Sequence, residues 1–306
     1  MMHFKAITLA DRELINGYFS LKNYRNCDFS FANLFCWRGK YRFEYALVSG
    51  FLVIRFVCDD GNPCFMMPLG EGDLREVLQQ MIANAREEGF QFRIYAITRA
   101  MDEQIESAMP DVFYYIEERD YFEYLYRRQD LVELAGKKYQ PKRNHINRFI
   151  SEHPDWEYSS ITPALIPGCL ELYHHWQENV LARHPEQELV DEELSLRETF
   201  ENYEALDLRG GVLLAGGKIV AFAVGEGLCA DTFVVHIEKA LFEVEGAFAM
   251  INREFATHEA EGYEFINREE DLGLESLRKA KLSYHPVAFL ERGSVCLKDD
   301  ITPNSI

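Results

Sequence analysis

The sequence predicts an α/β chain built as two tandem domains, each a mixed, twisted sheet with flanking helices. Three observations lead there. The 306 residues are 47% hydrophobic and 13% aromatic, enough to fill one large core or two cores of roughly 100–150 residues each. The order of strands and helices in the first third returns in the last third. A helix that stops at glycine and passes into an aromatic-polar-aromatic strand occurs in both copies, as Glu88-Gly89-Phe90-Gln91-Phe92 and Glu261-Gly262-Tyr263-Glu264-Phe265.

In the first copy, Tyr45 to Val57 reads as two strands meeting at Ser49-Gly50, rich in Val, Leu, Ile and Phe. Phe65 to Leu69 is a third short strand, closed by Gly70-Glu71-Gly72-Asp73. Leu74, Leu78, Met81, Ile82 and Ala85 then fall at helical spacing, and Gly89 stops that helix. Phe90 to Ile97 returns to a strand, and Met101 to Met109 to a short helix. In the second copy, Gly211 to Glu226 gives two strands around Gly216-Gly217, and Asp231 to Lys239 a third. Gly246 opens a helix with Phe248, Ile251 and Phe255 on one face, which ends at Gly262. Tyr263 to Asn267 is a strand and Leu274 to Leu282 a helix. Between the copies lie a linker, Arg119 to Ile150, and a helical stretch from Pro163 to Tyr203. Tyr121 to Tyr126 reads as an amphipathic segment seating the linker on a core. The domains expected are therefore 1–118, a scaffold, and 119–306, holding the working cleft. The order strand–strand–strand–helix–strand–helix is that of the GCN5-related acetyltransferase fold, whose sheet splays near its fourth strand beside a helix N-terminus.

The charge is 32 − 51 = −19. An acidic surface repels nucleic acid and anionic lipid at long range, so a polyanionic partner needs a local basic patch. Seven cysteines without CxxC spacing argue against a disulfide framework and a zinc ribbon, and read as buried free thiols of a reducing compartment. No apolar h-region follows Met1, and no apolar run approaches the ~20 residues of a membrane span. The expectation is a cytoplasmic protein without integral membrane contact.

Three constellations stand out. Gly136 to Phe149 holds five Lys/Arg and no acid. Pro141 suits a helix start, placing Lys142 and Arg143 in the first turn and Asn144, Asn147 and Arg148 on one face. Cations at a helix start oppose the macrodipole, and a bound phosphate or carboxylate would offset that; a solvated or ion-paired basic face is the alternative. In Asp231 to Lys239, alternation sets His236 and Glu238 on one face and Val235 and Ile237 on the other. A carboxylate beside an imidazole can tune a general base, or the two form a structural pair. In Ile266 to Tyr284, Asn267, Glu269 and Asp271 project to one side if the strand continues, with Lys279 and Lys281 in the following helix. These carboxylates would bind a substrate ammonium group or take its proton, or they are ordinary loop charge. Metal binding by Glu269, Glu270 and Asp271 would require the loop to converge adjacent carboxylates, and none is expected. No dinucleotide, Walker or G-x-S-x-G motif occurs.

Taken together, Gly136 to Phe149, His236-Ile237-Glu238-Lys239, Asn267 to Gly273 and Leu277-Arg278-Lys279-Ala280-Lys281 resemble the family named for the C-terminal domain of phosphatidylglycerol lysyltransferase, over Phe4 to about Leu290. The resemblance implies a dual acetyltransferase-like fold shared with the Fem peptidyltransferases, and transfer of an aminoacyl group from aminoacyl-tRNA to a hydroxyl or amine. On this reading His236, Glu238, Glu269 and Asp271 are candidate catalytic groups. Lys142, Arg143, Asn144, Asn147, Arg148, Lys239, Gly246, Asn267, Lys279 and Lys281 are the candidates to hold the donor. No tightly bound cofactor is expected; acyl-CoA or aminoacyl-tRNA would be the co-substrate. The partners would be a small-molecule or peptide acceptor and the tRNA acceptor end. A non-catalytic module holding a nucleotide or anionic metabolite is the alternative.

Overall fold

The structure is a computed structural model and describes residues 2–184 and 189–300. Two compact units are present. One comprises Met1–Glu123, Glu270–Glu275 and the final segment from Phe289; the other comprises Tyr124–Glu269 and Ser276–Ala288.

The first unit carries a sheet in the order Lys5–Ala6, Glu44–Val48, Phe51–Val57, Pro63–Phe65, Arg93–Thr98, Arg292–Leu297, Phe113–Glu117. Its hairpin turns at Ser49-Gly50, both with positive φ. The helix Leu74–Glu88 starts where Asp73 accepts from the Arg75 N–H and ends at Gly89 with φ +78°. That start relieves an orphan N–H, and glycine takes the left-handed stop without a Cβ penalty. Where the sequence reading carries the second domain from 119 to the chain end, the strand Arg292–Leu297 instead lies in the first sheet. It pairs antiparallel with both Arg93–Thr98 and Phe113–Glu117. The cysteine reading needs a correction: Cys58 and Cys64 are joined as a disulfide, brought together where Phe51–Val57 turns back to Pro63–Phe65. The remaining five are free thiols.

The second unit's sheet runs Ala288–Leu290, Glu123–Arg127, Phe265–Asn267, Thr232–Ala240, Lys218–Gly227, Arg209–Ala215, Glu157–Ser160. Glu123–Arg127 is thus a sheet strand, where the sequence suggested a segment lying on a core. Gly216 and Gly217, with φ +58° and +72°, make the tight turn between Arg209–Ala215 and Lys218–Gly227. The helical stretch expected over 163–203 appears as Ile166–Arg183 and Val190–Glu201; residues 185–188 lie outside the described residues. Phe149, Leu213, Phe233, Met250, Phe255 and Ile266 form the centre of the unit's apolar core. Helix Ala247–His258 packs on the three central antiparallel strands.

Two irregularities shape this sheet. Thr232–Ala240 pairs parallel with Phe265–Asn267 only through Thr232, Phe233 and Val234. Beyond Val234 and Asn267 the two strands part. On the other side of Thr232–Ala240, Val235 faces Gly225 and Ile237 faces Val224, so His236 is the extra residue of a β-bulge. A Cβ on Gly225 would sit 2.1 Å from the Val234 carbonyl oxygen, which explains glycine at the bulge. The bulge and the splay coincide at His236. No helix among the described residues is long and apolar enough to cross a membrane.

Candidate functional site

His236 sits in the splay of the second sheet, its side chain only 13% exposed. Its Nδ1 lies 2.8 Å from Glu269 Oε1 and its Nε2 3.1 Å from Glu226 Oε1. Burial disfavours the imidazolium, but the two carboxylates prevail and raise the group to about 10. It is therefore charged at neutral pH, with both ring N–H groups donating. The trio carries one net negative charge. Glu269 reaches its place because Asn267, fully buried at the strand end, accepts from the Glu269 N–H at 2.7 Å. Glu269 takes a left-handed φ of +55°, which turns the chain away from the sheet.

Two residues on, Glu238 is held by Arg268 Nη2 at 2.8 Å and by Asn252 Nδ2 at 3.0 Å. Arg268 is deeply buried and stacks against Tyr284, 4.8 Å from ring centroid to guanidinium carbon. Lys142 places its ammonium 3.9 Å from the same ring centroid. Burial, with the nearby Arg268 charge, lowers Lys142 to about 8. Strand alternation sends Lys239 the other way. Its Nζ bonds Glu192 at 2.6 Å and lies 3.5 Å from the Trp176 ring centroid, and burial pushes its pKa down.

The geometry thus forms two groups, His236 with Glu226 and Glu269, and Glu238 with Arg268, Asn252, Tyr284 and Lys142. Glu226, Asn252, Arg268 and Tyr284 are residues that sequence reasoning did not single out. Glu226 was legible only through register: the strand Lys218–Gly227 lies antiparallel to the His236 strand, and no spacing in the sequence announces that pairing. Other expected residues are engaged elsewhere. Arg143 donates to the carbonyls of Leu134 and Gly136 and to Gln140 Oε1. Arg148 pairs with Glu152 at 2.8 Å and Glu245 at 2.5 Å. Asn144 accepts from Gln140, and Asn147 and Lys279 are exposed. Lys281 is buried and donates to the Arg268 carbonyl at 2.5 Å, fixing the backbone of the splay. Asp271 belongs to the other unit, where it is fully buried, accepts from the Gly273 N–H and pairs with Arg119.

Gly246 caps the helix Ala247–His258 with φ +85°, and a Cβ there would lie 2.2 Å from the His145 carbonyl oxygen. The approach to this helix start, Leu241 to Gly246, carries Glu243 and Glu245 and no Lys or Arg. Glu243 pairs with His175 and Glu245 with Arg148. The segment entering this helix thus brings no cation of its own for an anion at the N-terminus.

One cluster elsewhere has metal-ligand types: in the first unit, ligand atoms of Cys27, Asp28 and Glu123 lie within 4.8 Å of one another. Arg292 already fills the cation position among them. It pairs with Glu123, with Asp28 at 2.6 Å, and contacts Cys27 Sγ at 3.7 Å.

Two sheets in this strand order, the second splayed at His236, define a tandem acetyltransferase-like fold. The chain belongs to the family described as "Phosphatidylglycerol lysyltransferase, C-terminal", whose model matches residues 19–293. Among solved structures, a conserved protein of unknown function from Bacteroides thetaiotaomicron is 46% identical. That match covers 97% of this chain and 100% of the other, with a TM-score of 0.92. The same fold is seen in the L-PGS structure from Bacillus licheniformis, at 16% identity over 96% of this chain and 93% of that one, TM-score 0.62. It is seen again in a C-terminal DUF2156 domain from Agrobacterium fabrum, at 14% identity over 95% and 92%, TM-score 0.65. No curated protein matches the chain.

Proposed function

We propose that this protein transfers an aminoacyl group from an aminoacyl-tRNA to an amine or hydroxyl acceptor, with the reacting ester in the splay of the second sheet. Family membership and fold support acyl or aminoacyl transfer in general. The observation that favours an aminoacyl donor is the Glu226–His236–Glu269 trio. With its imidazolium locked between two carboxylates, the trio keeps one net negative charge at the cleft, which suits the ammonium of an esterified amino acid. The segment entering helix Ala247–His258 carries two acids and no Lys or Arg, which favours a donor other than coenzyme A.

In this reading His236 is a positioning residue. Both of its nitrogens are engaged and it is protonated at neutral pH, so it takes no proton from the acceptor. Glu238, held by Arg268 and Asn252, is the group that accepts the acceptor's proton as the acyl–acceptor bond forms and returns it to the ribose hydroxyl as the ester C–O bond breaks. Lys142 and Arg268 supply positive charge beside it, which suits an anionic part of the donor. Asp271, committed to its own turn, has no part.

The test uses tRNA charged with radiolabelled amino acids, incubated with the protein and a panel of amines, peptides and hydroxyl compounds. The expected result is label moved to an acceptor, lost on Glu238→Gln, with no thiol release from acyl-CoAs. Turnover of acyl-CoA and none of aminoacyl-tRNA would overturn the donor assignment. The engagement of both His236 nitrogens and both Glu238 oxygens also suits a non-catalytic module on this fold. That reading gains if charged tRNA shifts the melting temperature and no label moves under any acceptor.

A further inference from the structure

Arg268 and Lys142 share one aromatic ring but only one carboxylate. Arg268 uses Nη2 on Glu238, while its Nη1 is buried with no hydrogen-bond partner. A buried guanidinium N–H without an acceptor is unfavourable by the full desolvation of that group, and such a group in a folded protein calls for an explanation. Lys142, half-buried, makes a cation–π contact with Tyr284, and no hydrogen bond to it occurs among the described residues. Two cations at one ring repel each other, and the pair outnumbers the single facing carboxylate. Lys142, Arg268 and Glu238 therefore sum to one net positive charge, with Arg268 set against the rings of Tyr284 and Tyr126. Lys281 donates its ammonium to the Arg268 carbonyl and is not among the charges that act on Lys142.

We infer that Lys142 and Arg268 Nη1 form a subsite for a singly charged oxyanion, a phosphodiester, bridging the two donors over the Tyr284 ring. A monoanion brings the group to neutrality; a phosphate dianion would leave it negative beside Glu238. Resting on the proposed function, the occupant is the phosphodiester next to the acylated ribose of the donor, since the subsite adjoins Glu238. The groups facing Lys142 are Arg268, Glu238 and Tyr284, and a bound anion reverses the balance that holds its pKa at about 8. Binding above that pH therefore takes up a proton, and binding at pH 7 does not.

The experiment is calorimetric titration of the full chain with the dinucleotide CpA at pH 7 and pH 9, in buffers of differing ionisation enthalpy. Glycerophosphoglycerol, inorganic phosphate and acetate are the parallel probes. Wild-type protein is expected to bind CpA at both values, with proton uptake at pH 9 only. Lys142→Gln should weaken binding by about tenfold or more, the range for loss of one charge-assisted bond. Lys142→Arg should bind like wild type and take up no proton at pH 9, since a guanidinium is already charged. This rescue separates a lost contact from a lost fold. Equal binding of CpA by wild type and Lys142→Gln overturns the subsite, whatever the transfer assay gives. Binding of glycerophosphoglycerol but not CpA overturns the donor assignment, and acetate binding as tightly as CpA overturns the phosphodiester class. CpA binding with no label transfer keeps the subsite and removes the transfer reading.

Discussion

Replacing His236 by glutamine tests the charge state on which the site's chemistry turns. In the folded protein the imidazole is raised from an ordinary 6.5 to about 10 by Glu226 and Glu269, against its own burial. A shift of that size corresponds to on the order of 3–5 kcal/mol of stability at about 1.4 kcal/mol per pH unit. The sign follows from proton counting. Between pH 6.5 and 10 the native state holds a proton that the unfolded state has lost, so stability falls as pH rises. The contribution is complete below the unfolded value and gone above the folded one. His236→Gln keeps one donor and removes the charge, leaving two carboxylates facing each other. Urea denaturation of both proteins, compared above pH 7 where those carboxylates are ionised, should show the variant less stable at pH 7 by about 3 kcal/mol. The gap should narrow towards pH 10 at up to about 1.4 kcal/mol per unit. NMR of the labelled imidazole gives the same midpoint directly. A gap independent of pH, or an imidazole titrating near its ordinary value, would refute the reasoning and return His236 to the list of candidate bases.

Other consequences follow from single positions. Gly246→Ala places a Cβ 2.2 Å from the His145 carbonyl in a left-handed residue, and should destabilise the second unit by about 2 kcal/mol or more in chemical denaturation. Arg292→Met leaves the buried Glu123 and its neighbour Asp28 without their cation, and should lower stability by about 3–5 kcal/mol. Arg148→Ala removes exposed ion pairs only; it should leave the melting temperature and CpA affinity unchanged, in contrast to Lys142→Gln.

Much of this was legible locally. Asp73, Gly89 and the helical spacing between them marked Leu74–Glu88 almost to the residue. The Gly216-Gly217 turn was legible too, but the alternation of Asp231 to Lys239 was not a guide to faces: the bulge at His236 breaks it, so that His236 bonds Glu226 while Glu238 lies opposite Ala223 and bonds Asn252. What the sequence hid depends on distant pairing. Arg292–Leu297 enters the first sheet between strands nearly two hundred residues earlier. Glu123–Arg127 is buried on four consecutive residues, so no alternation revealed a strand. The basic stretch misled for a similar reason: Arg143 is satisfied by carbonyls behind it and Arg148 by Glu245, a carboxylate about a hundred residues on. Only Lys142 of that stretch reaches the cleft, because Tyr284 and Arg268 arrive there from the far end of the unit. The Cys58–Cys64 bond likewise needs a chain reversal that spacing alone does not announce.

The most direct measurement is a crystal structure with a hydrolysis-resistant aminoacyl-adenosine amide. The analogue is predicted to lie in the splay between Thr232–Ala240 and Phe265–Asn267, its α-ammonium at hydrogen-bond distance from Glu226 or Glu269 and its ester-mimicking carbonyl beside Glu238. An analogue lodged away from this splay, or a protein that takes up an acyl-CoA there instead, would contradict the account.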